Sequence, residues 1–267
     1  ITMKETLQKA LDDDGVKGVY AFTTRAMRGA GRNTWTTAAC IRAYGGKFFD
    51  ENWNAVFNSP EAVQAMEVYK NMITGYGSPP GSEALGFYEI VDMFAAGQLA
   101  SMIAGVDHIV FINDPEKSQV ADTWEADLIP KGPAARMTSP WAWSLGINSS
   151  SRKQEAAWLF LQWASSQPTM ELLGTGISPS RMTLWDSKPF QDLNRPGWIK
   201  AAKWSWENGT LSRFRSGIPE FPEVGEIASV AFSEIFYGDP IQETLDEAVE
   251  KVNSVMEKGP TRKRAGQ

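Results

Sequence analysis

Apolar residues recur at three- and four-residue intervals along several stretches of the chain, the spacing that places them on one face of an α-helix. In "SPEAVQAMEVYKNMITGYG", residues 59–77, that face is Val63, Met66, Tyr69 or Lys70, and Ile73. Ser59 stands where an N-cap hydroxyl can accept from free backbone N–H groups, Pro60 fills a position that needs no N–H, and Gly75 and Gly77 stop the turn. "DPIQETLDEAVEKVNSVMEKG", 239–259, repeats the arrangement with Asp239 as cap, Pro240 first, and a stripe of Ile241, Leu245, Ala248, Val249, Val252 and Val255. "SRKQEAAWLFLQWASS", 151–166, offers a capping box from Ser151 to Gln154 and a dense face of Ala157, Leu159, Phe160, Leu161 and Ala164, which predicts a helix buried on that side. "FYEIVDMFAAGQLASMIAG", 87–105, predicts a helix ending near Gly97, then a short strand through Ala100, Met102 and Ala104.

Further short strands are predicted at "GVYAFT" (18–23), "ADLIP" (126–130) and "SLGIN" (144–148). Single strands separated by helices predict α/β layers. Pro and Gly gather in "GYGSPPGSE", "IPKGPAARMTSP" and "TGISPSR", which read as loops and not as tethers between domains.

Composition narrows the function. The 267 residues carry a net charge of −6, so the broad positive field that nucleic acid or an anionic membrane would demand is missing, and neither is an expected partner. The one basic cluster, "TRKRAG", follows Gly259 and Pro260 and is expected to be a flexible tail over 261–267. Cys40 and His108 are each alone of their kind, which removes an internal disulfide and argues against a metal site or a His-based triad; no metal and no cofactor are expected. No window approaches the roughly 18 apolar residues of a membrane-spanning helix. The chain opens on Ile1 and without a leader, so it is expected to be a processed form or a piece of a longer protein.

The order of these pieces resembles the extracellular solute-binding proteins of bacterial ABC importers, the family of maltose-binding protein. The resemblance rests on "FNSPEAVQAMEVYKNMI", "MFAAGQLASMIAG", "ADLIPKGP", "SLGINSSSRKQEAAWLFLQWASSQ", "SPSR" and "GDPIQETLDEAVEKVNSVM", in that order over about 50–256. "RGAGRNTW", "GVDHIVFINDPEKSQVAD", "PWAWSLGI" and "IPEF" are most similar to the binders of sugar alcohols and monosaccharides. The first of these loops departs from that group, reading Gly29-Ala30-Gly31-Arg32 where a Gly-Trp-Gly segment is usual.

The resemblance implies an α/β fold of the periplasmic-binding-protein type II, two lobes hinged around a ligand cleft. On that pattern 1–142 and 188–260 form the C-terminal lobe, 143–187 are a portion of the N-terminal lobe, and most of that second lobe has no counterpart here. The chain alone is then expected to leave the cleft incomplete.

A sugar or polyol presents C–H faces and hydroxyls that both donate and accept, so a binder needs flat aromatic faces and planar polar groups. Trp141 and Trp143, on one side of an extended chain, suit the first need; core packing is the competing role. Asp107 could accept from two hydroxyls or instead cap the apolar run "HIVFIND". Arg181 in "SPSR" could bridge neighbouring hydroxyls or pair with a surface carboxylate. Arg28 and Asn33 are further candidates, and Glu220 in "IPEF" is a candidate either for ligand or for fixing its loop.

The function implied is capture of a sugar or sugar alcohol and delivery to ABC permease subunits, by a monomer when intact, in the periplasm or outside the cell, free or lipid-anchored. Two alternatives keep the chemistry in view: a glycosidase, which would need two carboxylates across a sugar bond that no spacing here selects, and a sensor presenting its solute to a receptor.

Overall fold

The computed structural model describes residues 2–29, 31–139, 142–174, 178–209 and 217–265. Its elements are, in order, α1 (Thr2–Asp13), β1 (Thr23–Thr24), α2 (Asn33–Ala43), α3 (Pro60–Ile73), α4 (Phe87–Ala95), β2 (Met102–Ile103), α5 (Ile109–Ile112), α6 (Gln154–Ala164), α7 (Gln167–Leu173), α8 (Met182–Trp185), α9 (Lys188–Leu193), α10 (Pro196–Asn208), α11 (Phe221–Tyr237), α12 (Ile241–Lys258) and α13 (Pro260–Ala265).

The capped helices form where the local signals put them. In α3 the Ser59 side chain accepts from Ala62 N–H, and Ala62, Ala65, Met66, Tyr69 and Ile73 are buried. In α12 Leu245, Ala248, Val249, Val252 and Met256 are buried; the cap position falls on Pro240, one residue beyond Asp239.

The helices pack into two apolar clusters. One joins α2, α3, α11 and α12 around Phe57, Met66, Phe232 and Leu245. The other joins α4, α5 and α8 to α10 around Ile90, Trp124, Trp185 and Trp198. Between the helices β1 and β2 pair in parallel, Thr23 opposite Met102 and Thr24 opposite Ile103, with a bridge from Tyr20 to Leu99 extending the ladder.

Three expectations change. Residues 126–130 and 144–148 are not strands: a strand exists only where a neighbour takes its backbone N–H and C=O groups, and no ladder reaches them among the described residues. The capping box of α6 does not form, because Ser151 Oγ accepts from Lys153 N–H and Gln154 Nε2 donates to the Ser149 carbonyl. Nor is α6 buried on one side: Trp158, Leu159, Phe160 and Trp163 are all more than half exposed, and Leu172 of α7 is 84% exposed, since nothing among the described residues covers this face.

At the start of the C-terminal segment, Thr261 and Arg262 are held by the protein. Glu220 accepts from Thr261 N–H at 2.9 Å and Thr261 Oγ1 at 2.5 Å, and Arg262 donates to the Trp53 carbonyl, Asn54 Oδ1 and Asn253 Oδ1. Glu220 is therefore the residue that fixes its neighbourhood, buried and turned toward α13.

Candidate functional site

Parallel strands open a crevice at their carboxyl ends, where the following loops diverge and ligands of α/β proteins bind. Here the strand ends lie side by side at Thr24 and Ile103, so the loop after β1 and the turn after β2 share one rim. That rim is the candidate site. A groove of about 660 Å³ between α11 and α12 is lined by other residues, among them Glu223, Glu247 and Lys251.

After β2 the chain makes a tight 3-10 turn over Val106–His108. Gly105 N–H donates to His108 Nδ1 at 3.1 Å, and Trp198 Nε1 donates to the Val106 carbonyl at 2.9 Å, which pins the turn from α10. Asp107 is exposed at its apex. The carboxylate folds back over Gly105: a Cβ there would stand 2.3 Å from Asp107 Oδ1, so the glycine leaves room for it. No side-chain bond caps α5, so the capping role weighed for Asp107 is not the one it plays.

His108, beneath it, is 1% exposed with its ring edge-on to Phe87. Burial pushes its pKa down to about 4, with the positive charge of Arg25 adding to the shift and Asp107 opposing it. At neutral pH the imidazole is uncharged, with Nδ1 accepting and the proton on Nε2.

The loop after β1 is braced from several sides. Tyr69 Oη donates to the Arg25 carbonyl at 2.6 Å, and Ala26 and Met27 N–H both donate to the Leu85 carbonyl. Arg28 is exposed and donates to Glu226 Oε1 of α11 through Nε at 3.0 Å and Nη2 at 2.7 Å. Asn33 is fully buried: its Nδ2 donates to the Ser229 carbonyl and its Oδ1 accepts from Ser229 Oγ. Its amide therefore ties the loop to α11.

The "SPSR" loop is joined to the Asp107 turn through two indoles. Trp185 Nε1 donates to the Pro179 carbonyl, Trp185 stacks on Trp198 at 5.3 Å, and Trp198 holds Val106. Arg181 is exposed, with Nε donating to the Ser165 carbonyl at the end of α6. Trp185 lies within the segment expected in the second lobe, and it packs in the same cluster as Trp198.

Ser139 Oγ donates to the Trp35 carbonyl at 3.5 Å, in the first turn of α2. Trp143 is 87% exposed, so its indole is not core. Trp141 lies outside the described residues.

The structure thus brings Arg28 and Asn33 together on the loop braced by α11, and links Asp107 to the Arg181 loop through Trp198 and Trp185. A residue missed by the sequence reading, Arg25, stands at the strand end itself, near enough for the negative charge of Asp107 to act on it. Among the described residues there is no cluster of three or more His, Cys, Asp or Glu side chains able to hold a metal, and no helix is long and apolar enough to cross a membrane. Cys40 is partly buried against the Ala65 carbonyl, and burial raises its thiol to about 12, which leaves it unreactive.

Comparison with known proteins places the chain in a family. The model of the bacterial extracellular solute-binding proteins matches residues 2–171. The mannitol-binding protein of Pseudomonas aeruginosa is 32% identical over 152 residues, 57% of this chain and 35% of that protein. A probable amino-acid ABC transporter periplasmic-binding protein of Sinorhizobium fredii is 26% identical over 80% of this chain and 46% of its own length. Among solved structures, an ABC transporter solute-binding protein of Agrobacterium vitis with bound D-mannitol superposes with a TM-score of 0.77 at 25% identity, covering 96% of this chain and 65% of that one. The maltose-bound T. maritima MalE3 shares the fold at a TM-score of 0.83 and 18% identity, over 95% of this chain and 64% of that one. The chain spans less than half the length of these curated relatives and less than two thirds of these structures.

Proposed function

The chain belongs to the bacterial extracellular solute-binding proteins, with the type II periplasmic-binding-protein fold, and from that membership we propose that it captures a sugar or sugar alcohol for an ABC importer. The observation that carries the reading is the rim at the carboxyl ends of β1 and β2, where Asp107 presents an exposed carboxylate that caps no helix. The chain's likeness to a protein named for mannitol binding supports that solute class.

In this reading Asp107 accepts hydroxyl hydrogen bonds. Trp143 and Trp141 offer indole faces to C–H groups, Arg181 and Arg28 reach the rim of the ligand, and Asn33 holds the loop that carries Arg28. The facing surface comes from a second lobe, of which the exposed helices α6 and α7 supply part, and solute binding closes the two lobes by a hinge so that the permease recognises the closed form. The protein acts outside the cytoplasmic membrane and does no chemistry on its solute.

Isothermal titration of the protein expressed from its complete reading frame tests this. D-mannitol or ribitol should give one saturable site, weakened in Asp107→Asn and in Trp143→Ala. Heat on addition of amino acids, with none from any sugar or polyol, would move the protein to the solute class of its Sinorhizobium relative.

A further inference from the structure

The cations that the sequence offers at the rim are each engaged by the protein: Arg28 by Glu226 and Arg181 by the Ser165 carbonyl. Arg25 is not. Its guanidinium is partly buried, 5.9 Å from the centroid of Phe87, and among the described residues no acceptor takes its N–H groups. Burial lowers its pKa, opposed by Tyr69 and Asp107, yet it closes no ion pair with that carboxylate. A partly buried guanidinium whose donors no protein acceptor takes is suited to receive oxygen atoms from a ligand. Its backbone is meanwhile fixed by Tyr69 through the carbonyl and by Leu85 through the next two N–H groups, so the position is built and not incidental.

Resting on the reading of this rim as a solute site, we propose that Arg25 is a further ligand-binding residue, and that Arg25 and Asp107 together grip one vicinal diol of a neutral polyol or sugar. The pairing is one of complementary roles. A guanidinium only donates and a carboxylate only accepts, while each hydroxyl of a diol does both, so one hydroxyl oxygen takes Arg25 N–H and its neighbour gives its proton to Asp107. The two charges face one uncharged molecule and offset each other across it. A sugar acid or sugar phosphate would be drawn to Arg25 but repelled by Asp107, and the neutral His108 beneath adds no second cation to offset that repulsion. The site therefore selects for uncharged solutes.

The test is titration of the protein from its complete reading frame with D-mannitol, ribitol, D-gluconate, mannitol 1-phosphate and the monodeoxy mannitols. The variants are Arg25→Gln, Arg25→Lys, Asp107→Asn and the Arg25→Gln/Asp107→Asn pair, each first shown by ligand-free thermal unfolding to be folded. Arg25→Gln and Asp107→Asn should each weaken the preferred polyol about 10- to 100-fold, and the pair by less than the product of the two. One deoxy analogue should bind wild type more weakly than the parent polyol but bind Arg25→Gln about equally, a signature that a purely structural arginine would not give. A polyol held by Arg25→Gln within about twofold of wild type would sink this assignment and leave the solute-binding reading standing. Preference of wild type for gluconate or the phosphate would overturn the neutral-diol class. Binding of none of these ligands by wild type would fail the solute reading and this inference with it.

Discussion

Asn33 and Ser229, 196 residues apart, hold each other by two hydrogen bonds: Asn33 Nδ2 donates to the Ser229 carbonyl at 3.0 Å, and Ser229 Oγ donates to Asn33 Oδ1 at 2.8 Å. Gly29 N–H donates to the same hydroxyl at 2.6 Å, so one serine of α11 organises the loop that presents Arg28. Ser229→Ala would strand a buried amide oxygen and weaken the loop's attachment. A loss of about 1–3 kcal/mol is expected, a fall of several degrees in Tm. An unchanged Tm would show that the loop does not depend on this contact.

His108 gives the molecule an acid-sensitive joint. Its folded pKa of about 4 lies below that of an unfolded histidine, so between about pH 6.5 and 4 the unfolded chain binds a proton that the folded chain excludes. Stability from this group is complete above that window and falls with pH through it, by about 1.4 kcal/mol per unit. Unfolding of wild type and His108→Gln across pH 4–7 checks this, and the variant should show the shallower decline. Parallel curves would contradict the burial argument.

Gly259 marks the close approach of α12 to the Glu220 carboxylate. A Cβ at 259 would meet Glu220 Oε1 at 2.0 Å, and that oxygen is already tied to Thr261 N–H. Gly259→Ala should therefore cost about 1–3 kcal/mol, measured by urea unfolding. An alanine tolerated without loss would mean that the carboxylate moves aside.

The core and the α6–α7 face should respond in opposite ways to substitution. Phe232→Ala empties a fully buried site between α11 and Phe57 and should cost about 3–5 kcal/mol. Leu172→Lys, at a side chain 84% exposed, should change the stability of residues 1–267 by no more than about 0.5 kcal/mol. A large loss from Leu172→Lys would place that helix face against something in the folded chain.

What the sequence revealed follows the range of the forces involved. The helix at Pro60–Ile73 was legible because its cap, its proline and its apolar spacing lie within a few turns of one another. The helix at Gln154–Ala164 was legible as a helix but not in its exposure, since burial depends on what packs against it and no local signal reports that. Residues 126–130 and 144–148 have strand composition, yet a strand is made by its neighbour. At the site, Asp107 and the Arg28 loop could be singled out from their motifs. The partner of Asn33 on α11 could not, because that contact exists only after folding. Arg25 left no trace in sequence for a similar reason: its signal is a set of unused donors, visible only when its surroundings are in place.

The most direct test of the account is thermal unfolding of the protein from its complete reading frame, with and without D-mannitol, ribitol, maltose and a set of amino acids. A solute at about 100 times its Kd adds about 2.7 kcal/mol, a rise of roughly 3 °C in a protein of its relatives' length. Mannitol or ribitol should give that rise, and Asp107→Asn should reduce it to half or less; a rise with amino acids alone, or with none of the panel, would contradict capture of a sugar or polyol at this rim.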